Sequence, residues 1–502
     1  MGLTQQDVIY FAVTDRFYGA PQSDPAIRRS LVPGDPHRFH GGNLDGLREK
    51  IPYLAQLGVT AVWVTPVYLQ TSLPDADGYH GYWALDFNAV DPHFYVKRDE
   101  HQSGSKLYVR DLARALHEAG MKLILDMVVN HTGYGHPGVT NASPNPTPIR
   151  AHWFNRAGVS SDADEVKGQL SGLPDLDLDD KDVSDYHIRT ILDWIRATGI
   201  DAVRMDTAKN VERVFWNDFK TQVKGLHPEV SLLGEVLEFD VEGICEFQRC
   251  WAFDSLFDFP LQLAMQKVFV DGDSLETFVS PFDRGQGLLE RDTAYTNHNM
   301  MTTLLDNHDL PARFMTLLLD KVGDGVAAAR AMRLALSFQF TVRGIPQIFY
   351  GTELGMEGRA DPDNRRDFEW AKLDERHEVR PEFPRERSIY DHLRRLIRVR
   401  RETKALTAGG FACLYVDCFV LVFARCVEDD VAIVAIHNGW QDMPTSIPVS
   451  IRDNPRLPTR IKERLADAEL VCALTGAKVR TADGRLDLRM PGKTALILKP
   501  AG

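Results

Sequence analysis

Eight short apolar runs, each followed by a stretch with helical spacing, fill the first 400 residues of this 502-residue chain. They are VIYFAVT (8–14), VTAVWVTP (59–66), KLILDMVV (122–129), DAVRM (201–205), VSLLG (230–234), AFDSLFDF (252–259), MTTLL (301–305) and IPQIFY (345–350). A run of this length that does not alternate with polar residues reads as a strand buried on both faces. Eight such strands alternating with helices predict a parallel sheet closed on itself, a (β/α)8 barrel. The intervening helices are legible too. LDGLREKIPYLAQLG (44–58) and LYVRDLARALHEAG (107–120) carry apolar residues three and four apart and stop at Gly58 and Gly120.

The rhythm breaks in three places. After the third run some fifty residues rich in Gly, Pro, Asn and Asp precede a helix near 184–198, a length that marks a functional loop or small subdomain. A second insertion, 354–387, follows the eighth run. Beyond residue 404, FACLYVDCFVLVFAR, DVAIVAIHNGW, TSIPVSI and KTALILKP read as antiparallel strands of a β-sandwich-like unit. The expected division is a barrel at 1–131 and 184–404, an inserted domain at 132–183 and a C-terminal β domain at 405–502.

Composition narrows the partners. The chain carries 58 basic and 71 acidic residues, a formal charge of −13. An acidic surface repels phosphate backbones and anionic lipid, so neither nucleic acid nor membrane is an expected partner. The amino terminus lacks the charged-then-apolar layout of a signal peptide, so the expected location is the cytoplasm, or outside the cell if a leader has been removed. The six cysteines form no CxxC pair, which speaks against structural zinc and for buried free thiols.

Reactive residues of such a barrel lie at the carboxyl ends of its strands. There the chain places Asp126 and then Asn130-His131, Arg204 and Asp206, Glu235, and Asp306-Asn307-His308-Asp309. A purely structural barrel has no reason to gather like charges at one mouth. Arg204 and Asp206 are two apart on a strand and share a face. The guanidinium favours the charged form of Asp206, as a nucleophile requires, and the negative neighbour raises Glu235, as an acid catalyst requires. That pairing suits glycoside hydrolysis.

DMVVNH (126–131), GIDAVRMDTAKN (199–210), LLGEVLE (232–238) and LLDNHD (304–309) resemble, in order, the four signature regions of the alpha-amylase family. GVTAVWVTPV (58–67), LPDLD (173–177), GIPQIFYGTE (344–353), GYHGYW (78–83) and DPDNR (361–365) resemble further segments of that family. The resemblance implies a barrel with an inserted B domain and a C-terminal β domain. It implies Asp206 as nucleophile, Glu235 as acid/base and Asp309 as transition-state stabiliser. Arg204, His131 and His308 would bind the sugar at the cleavage site and Tyr82 would stack on its face. His80, Trp83, Asp361 and Arg365 would line donor subsites, and Lys209 would face the acceptor. Asn130, Asp175 and Asn210 match residues that hold a structural Ca²⁺ between barrel and insertion.

Two positions depart from the family. Asn210 stands where His is usual, and Leu237 replaces the Trp that often follows the Glu-Val pair. Thr207 and LPDLD match relatives that cleave α-1,4 bonds. Ser171 occupies the place where cyclodextrin-forming relatives carry a large aromatic. The resemblance therefore implies a retaining hydrolase of α-1,4-glucans such as starch and maltooligosaccharides. An α-glucan transglycosylase on the same site is the alternative, and a non-catalytic carbohydrate-binding relative is the third reading.

Overall fold

The computed structural model describes residues 2–98, 101, 104–250, 253–280 and 287–501. All eight predicted runs form strands: β1 (Ile9–Ala12), β2 (Ala61–Val64), β3 (Lys122–Met127), β4 (Ala202–Met205), β5 (Ser231–Gly234), β6 (Ser255–Leu256), β7 (Thr302–Thr303) and β8 (Ile345–Phe349). Ala252, the first residue of the sixth predicted run, lies outside the described residues. The strands are parallel in the order β6-β5-β4-β3-β2-β1-β8-β7. The remaining gap closes through a parallel bridge between Phe257 and Thr302. The Asp258 N–H donates to the Thr302 carbonyl at 2.8 Å, and the hydroxyls of Ser255 and Thr302 meet at 2.9 Å. The sheet is thus a barrel with its shortest strands at the seam.

Helices cover the barrel with the faces their spacing foretells. Helix α1 (Lys106–Glu118) buries Tyr108, Val109, Leu112, Ala113 and Leu116, an i, i+4, i+8 stripe, against the sheet. The helical run ending at Leu57 is stopped by Gly58, whose φ of 97° is open to glycine. Helix α2 (Lys181–Thr198) is capped by the Asp180 side chain and carries the chain back to β4. Helix α3 (Arg213–Leu226) follows β4. Helix α4 (Gly325–Gln339) precedes β8, and helix α5 (Pro384–Arg401) ends the barrel.

The stretch between β3 and α2 holds short 3₁₀ turns at Pro137–Thr140, Ala151–Trp153 and Leu170–Gly172. It is pinned to the barrel by a bridge between His131 and Asp175, with the Leu176 N–H on the Asn130 carbonyl at 2.8 Å. Its end therefore returns beside its start, and the loop arches over the carboxyl ends of the strands.

The C-terminal strands are β9 (Gly410–Val416), β10 (Val420–Val427), β11 (Asp430–His437), β12 (Ile447–Ser450), β13 (Glu469–Cys472), β14 (Lys478–Arg480), β15 (Arg485–Leu488) and β16 (Thr494–Pro500). They build a six-stranded antiparallel sheet, β9-β10-β11-β16-β13-β14, and a β12–β15 ribbon. Strands β13, β14 and β15 have no counterpart among the predicted strands, being only three or four residues long, with charged residues prominent in β14 and β15. Two buried arginines sit where this unit meets the barrel, and one of them, Arg425 of β10, bonds across. Arg400 donates to the carbonyls of Phe340 and Val342 just beyond α4, and Arg425 donates to those of Thr341 and Gly409. The expectation of buried thiols holds only for Cys245 and Cys472; Cys250 and Cys418 are exposed, since both sit at element ends. No helix among the described residues is long and apolar enough to cross a membrane.

Candidate active site

One guanidinium organises the mouth of the barrel. Arg204 on β4 is fully buried and sits beside Asp126 of β3 in the parallel register. Its Nη1 donates to Asp126 Oδ1 at 2.8 Å and to Asp206 Oδ1 at 2.6 Å, and its Nη2 lies 2.6 Å from Glu235 Oε1. Asp206 and Glu235 are the residues just past β4 and β5. Their N–H groups continue the ladder, to Met127 O at 3.0 Å and Met205 O at 2.9 Å, so backbone pairing fixes both carboxylates. Thr207 then turns the chain away at φ 45°, ψ 42°, an unusual backbone for a β-branched residue. Its N–H donates to Glu235 Oε2 at 3.2 Å.

Asp126 is the hidden member of the group. It accepts from Trp63 Nε1 at 3.0 Å and from the Tyr82 hydroxyl at 2.8 Å. Burial pushes its carboxyl up to about 7 against the pull of Arg204. The Tyr82 oxygen also meets His308 Nε2 at 2.7 Å, and the two rings stack with centroids 5.3 Å apart. Tyr82 can take its place because Gly81, at φ +92°, passes under the Pro66 carbonyl, where a Cβ would lie 1.9 Å from the oxygen.

The sequence candidates meet in a cleft of about 720 Å³. Asp206, Glu235 and Asp309 line it, with His80, Tyr82, Trp83, His131, Lys209, His308, Asp361, Arg365 and Asn210. Asn130 and Asp175 lie outside this lining, and among the candidates for sugar binding Arg204 is the exception. At 0% exposure it lies beneath the wall, hydrogen-bonded to Asp126 and Asp206 and ion-paired with Glu235. Arg365 Nη2 lies 3.3 Å from Asp309 Oδ1, and its Nε 3.2 Å from Asp361 Oδ1. Some of the wall was not foreseen. Tyr134 sets its ring edge-on to Trp83, centroids 5.1 Å apart, and donates its hydroxyl to the Ser171 carbonyl at 2.7 Å. It puts an aromatic against the rim where Ser171 has none. Glu165 pairs with Lys209 at 3.0 Å, and its carbonyl accepts the Asn210 amide at 2.9 Å. These residues come from an insertion whose path no local pattern foretells.

Burial separates the charge states. The Glu235 carboxyl is raised by burial, held back by Arg204 and raised again by the charge of Asp206. Asp309 is raised well above the ordinary range by desolvation and by Glu235. Burial lowers His131 to about 4 and takes His80 and His308 well below 6.5, so the three rings are neutral hydrogen-bonding groups at neutral pH. An acid catalyst must carry its proton, so if Glu235 has that role activity is expected to fall as pH rises through its raised value. The basic limb of a kcat/KM profile is expected above the ordinary glutamate value of 4.5. A limb at or below that value would contradict the assignment.

Comparison with known proteins agrees with this geometry. The family described as Alpha amylase, catalytic domain, matches residues 11–409. The chain belongs to the alpha-amylase family. A Beta/alpha-amylase of Paenibacillus polymyxa is 29% identical over 91% of this chain, which spans 36% of that protein's length. The crystal structure of the Geobacillus thermoleovorans alpha-amylase complexed with acarbose superposes with a TM-score of 0.81 at 30% identity, covering 99% of both chains. That of CldA, a cyclomaltodextrin glucanotransferase with a three-domain ABC distribution, gives 0.80 at 27% identity, again over 99% of both.

Alpha-amylase family members often bind calcium, and the residues expected to hold it can be tested against the structure. Asn130 and Asp175 flank the bridge that closes the insertion. Asp175 is 2% exposed; its Oδ2 accepts from Asn155 at 2.9 Å, while its buried Oδ1 has no hydrogen-bond partner among the described residues. Burial and then Glu212 push this carboxyl up to about 7, and Asn155 opposes them. A buried acceptor left open beside a second carboxylate suits an oxygen-seeking cation. Asn210 spends its side-chain amide on Glu165, which leaves its backbone carbonyl as the donor it would offer.

Proposed function

We propose that this chain is a retaining glycoside hydrolase that cleaves α-1,4-glucosidic bonds in starch, maltooligosaccharides or related α-glucans. The carrying observation is that one guanidinium, Arg204, holds an oxygen of Asp206 on Nη1 and one of Glu235 on Nη2. Two carboxyls drawn to one planar fork favour the close spacing of retaining enzymes over the ~6.5–9.5 Å gap that an inverting enzyme leaves for water. Glu235 protonates the glycosidic oxygen as Asp206 attacks the anomeric carbon; the bond to the leaving chain breaks and a covalent glycosyl-enzyme forms. Glu235 then takes a proton from water, and that water displaces Asp206 with the α configuration restored. Asp309, turned by Arg365, stabilises the cationic sugar. His131 and His308 offer neutral ring nitrogens to its hydroxyls, and Tyr82, stacked on His308, supports its apolar face. His80, Trp83, Asp361 and Arg365 hold the donor chain, and Lys209 the acceptor. The barrel at 1–131 and 184–404, the B domain at 132–183 and the C-terminal domain at 405–502 are the division this reading uses.

NMR of fresh products from maltoheptaose is expected to show the α anomer first, with shorter linear maltooligosaccharides and new reducing ends. Initial β product would remove the nucleophile assignment. Panose cut mainly at its α-1,6 bond would remove the α-1,4 assignment. Likeness to a cyclomaltodextrin glucanotransferase favours a second reading, transfer of the glycosyl unit to another sugar. Cyclic or longer products at low conversion, with little release of reducing ends, would select it.

We further propose that Asn130, Asp175 and the Asn210 backbone hold a structural Ca²⁺ between barrel and insertion. When bound, the ion would neutralise Asp175 and fix the cleft wall. Chelation is expected to lower the melting temperature and calcium to restore it, since an ion that binds only the folded state stabilises it. A melting temperature indifferent to both would count against the ion.

A further inference from the structure

Asp177, Asp179 and Glu212 form a second acidic group behind the cleft. Each offers one carboxylate oxygen, and the three oxygens lie within 4.8 Å of one another. Asp177 and Asp179 end the insertion just before α2, and Glu212 precedes α3 on the loop leaving β4. Acidic residues at a surface are ordinary; the buried member of this group is not. Glu212 is 6% exposed, and its Oε1 is buried with no hydrogen-bond partner among the described residues. A buried carboxylate oxygen with nothing to accept from is costly unless a cation meets it. One cationic side chain reaches the edge of the group. Lys167 Nζ lies 2.7 Å from Asp179 Oδ2 and 3.9 Å from Asp177 Oδ1, with its side chain 44% exposed.

We infer that Asp177, Asp179 and Glu212 hold a Ca²⁺ ion of their own, distinct from the one proposed at Asn130, Asp175 and Asn210, and that Lys167 competes with it. All donors are hard oxygens, which selects against zinc and copper. Three oxygens within 4.8 Å of one another can be drawn onto one calcium ion, whose bonds of about 2.4 Å and flexible shell tolerate an open group better than the tight octahedron of magnesium. Waters complete the shell on the exposed side of Asp177 and Asp179. The ion ties the exit of the insertion to the loop that runs from Asp206 through Lys209 and Asn210 to Glu212. It braces the wall carrying the proposed nucleophile without touching substrate.

The test counts calcium bound to the full, chelator-stripped protein by equilibrium dialysis, with calorimetry for affinity and circular dichroism for folding. Wild type is expected to bind two ions per chain. Glu212→Gln and Asp179→Asn should each lose one and show a smaller calcium-induced rise in melting temperature, while Asn130→Ala keeps the ion inferred here. Lys167→Met should keep both ions and hold this one several-fold more tightly, a gain that a merely structural lysine would not produce. If E212Q and D179N bind as many ions as wild type with the same affinity, the inference is overturned. If wild type binds a single ion, loss in E212Q but not in N130A supports the inference and removes the first site. Loss in N130A but not in E212Q does the reverse.

Discussion

Asp206→Asn and Glu235→Gln are each expected to lower kcat/KM on soluble starch on the order of 10⁴-fold, about 5.5 kcal/mol of transition-state stabilisation, with the fold intact. Both changes are nearly isosteric, and each leaves a polar group that still accepts from Arg204. What is lost is chemistry: an amide at position 206 cannot form the glycosyl ester, and an amide at position 235 cannot give up a proton. The double variant should be scarcely worse than either single one, because the two groups act in one reaction sequence. Matched melting temperatures would show that the losses are catalytic. Activity within tenfold of wild type in either variant would mean that other carboxylates do the work.

Replacing Arg204 by Met is expected to cost about 3–5 kcal/mol of stability, read as a lowered urea midpoint, besides abolishing activity. The residue is 0% exposed, and the carboxylates it pairs are almost as buried, at 0% for Asp126, 6% for Asp206 and 7% for Glu235. Methionine fills much of the volume but leaves three acids facing one another without a countercharge. If charge rather than packing is responsible, Asp126→Asn in the same chain should restore part of the midpoint. The amide oxygen it introduces still accepts from Trp63 or Tyr82, and one of the three repelling charges is gone. An R204M midpoint within about 1 kcal/mol of wild type would show that these acids are neutral in the fold, and that the arginine matters less than its bonds suggest.

The barrel was legible because its signals are local. Strands β1 to β5 and β8 carry apolar residues side by side rather than in alternation, and Gly58 ends its helix by its own backbone freedom. Strands β6 and β7 show where such reading stops. They shrink to two residues each, and the barrel closes there through one bridge, at Phe257 and Thr302, that no periodicity marks. The short strands β13 to β15 escaped for a related reason: each is held by pairing with another segment, not by a pattern of its own.

For the site, local sequence patterns sufficed to name the residues that stand at the strand ends. The period of a strand and the spacing of a motif are properties of neighbouring residues, and so Asp206, Glu235, Asp309 and the histidines could be named. What those residues are to one another came from the packing of the folded chain. It buried Arg204 beneath the cleft wall and made it the common partner of three carboxylates. It folded the insertion so that Tyr134 and Glu165 complete the cleft. It also set Glu212 beside Asp177 and Asp179, more than thirty residues earlier in the chain. Distances across strands and loops depend on how the whole chain packs, and so does the burial that raises the carboxyls of Glu235 and Asp309 and lowers the three histidines.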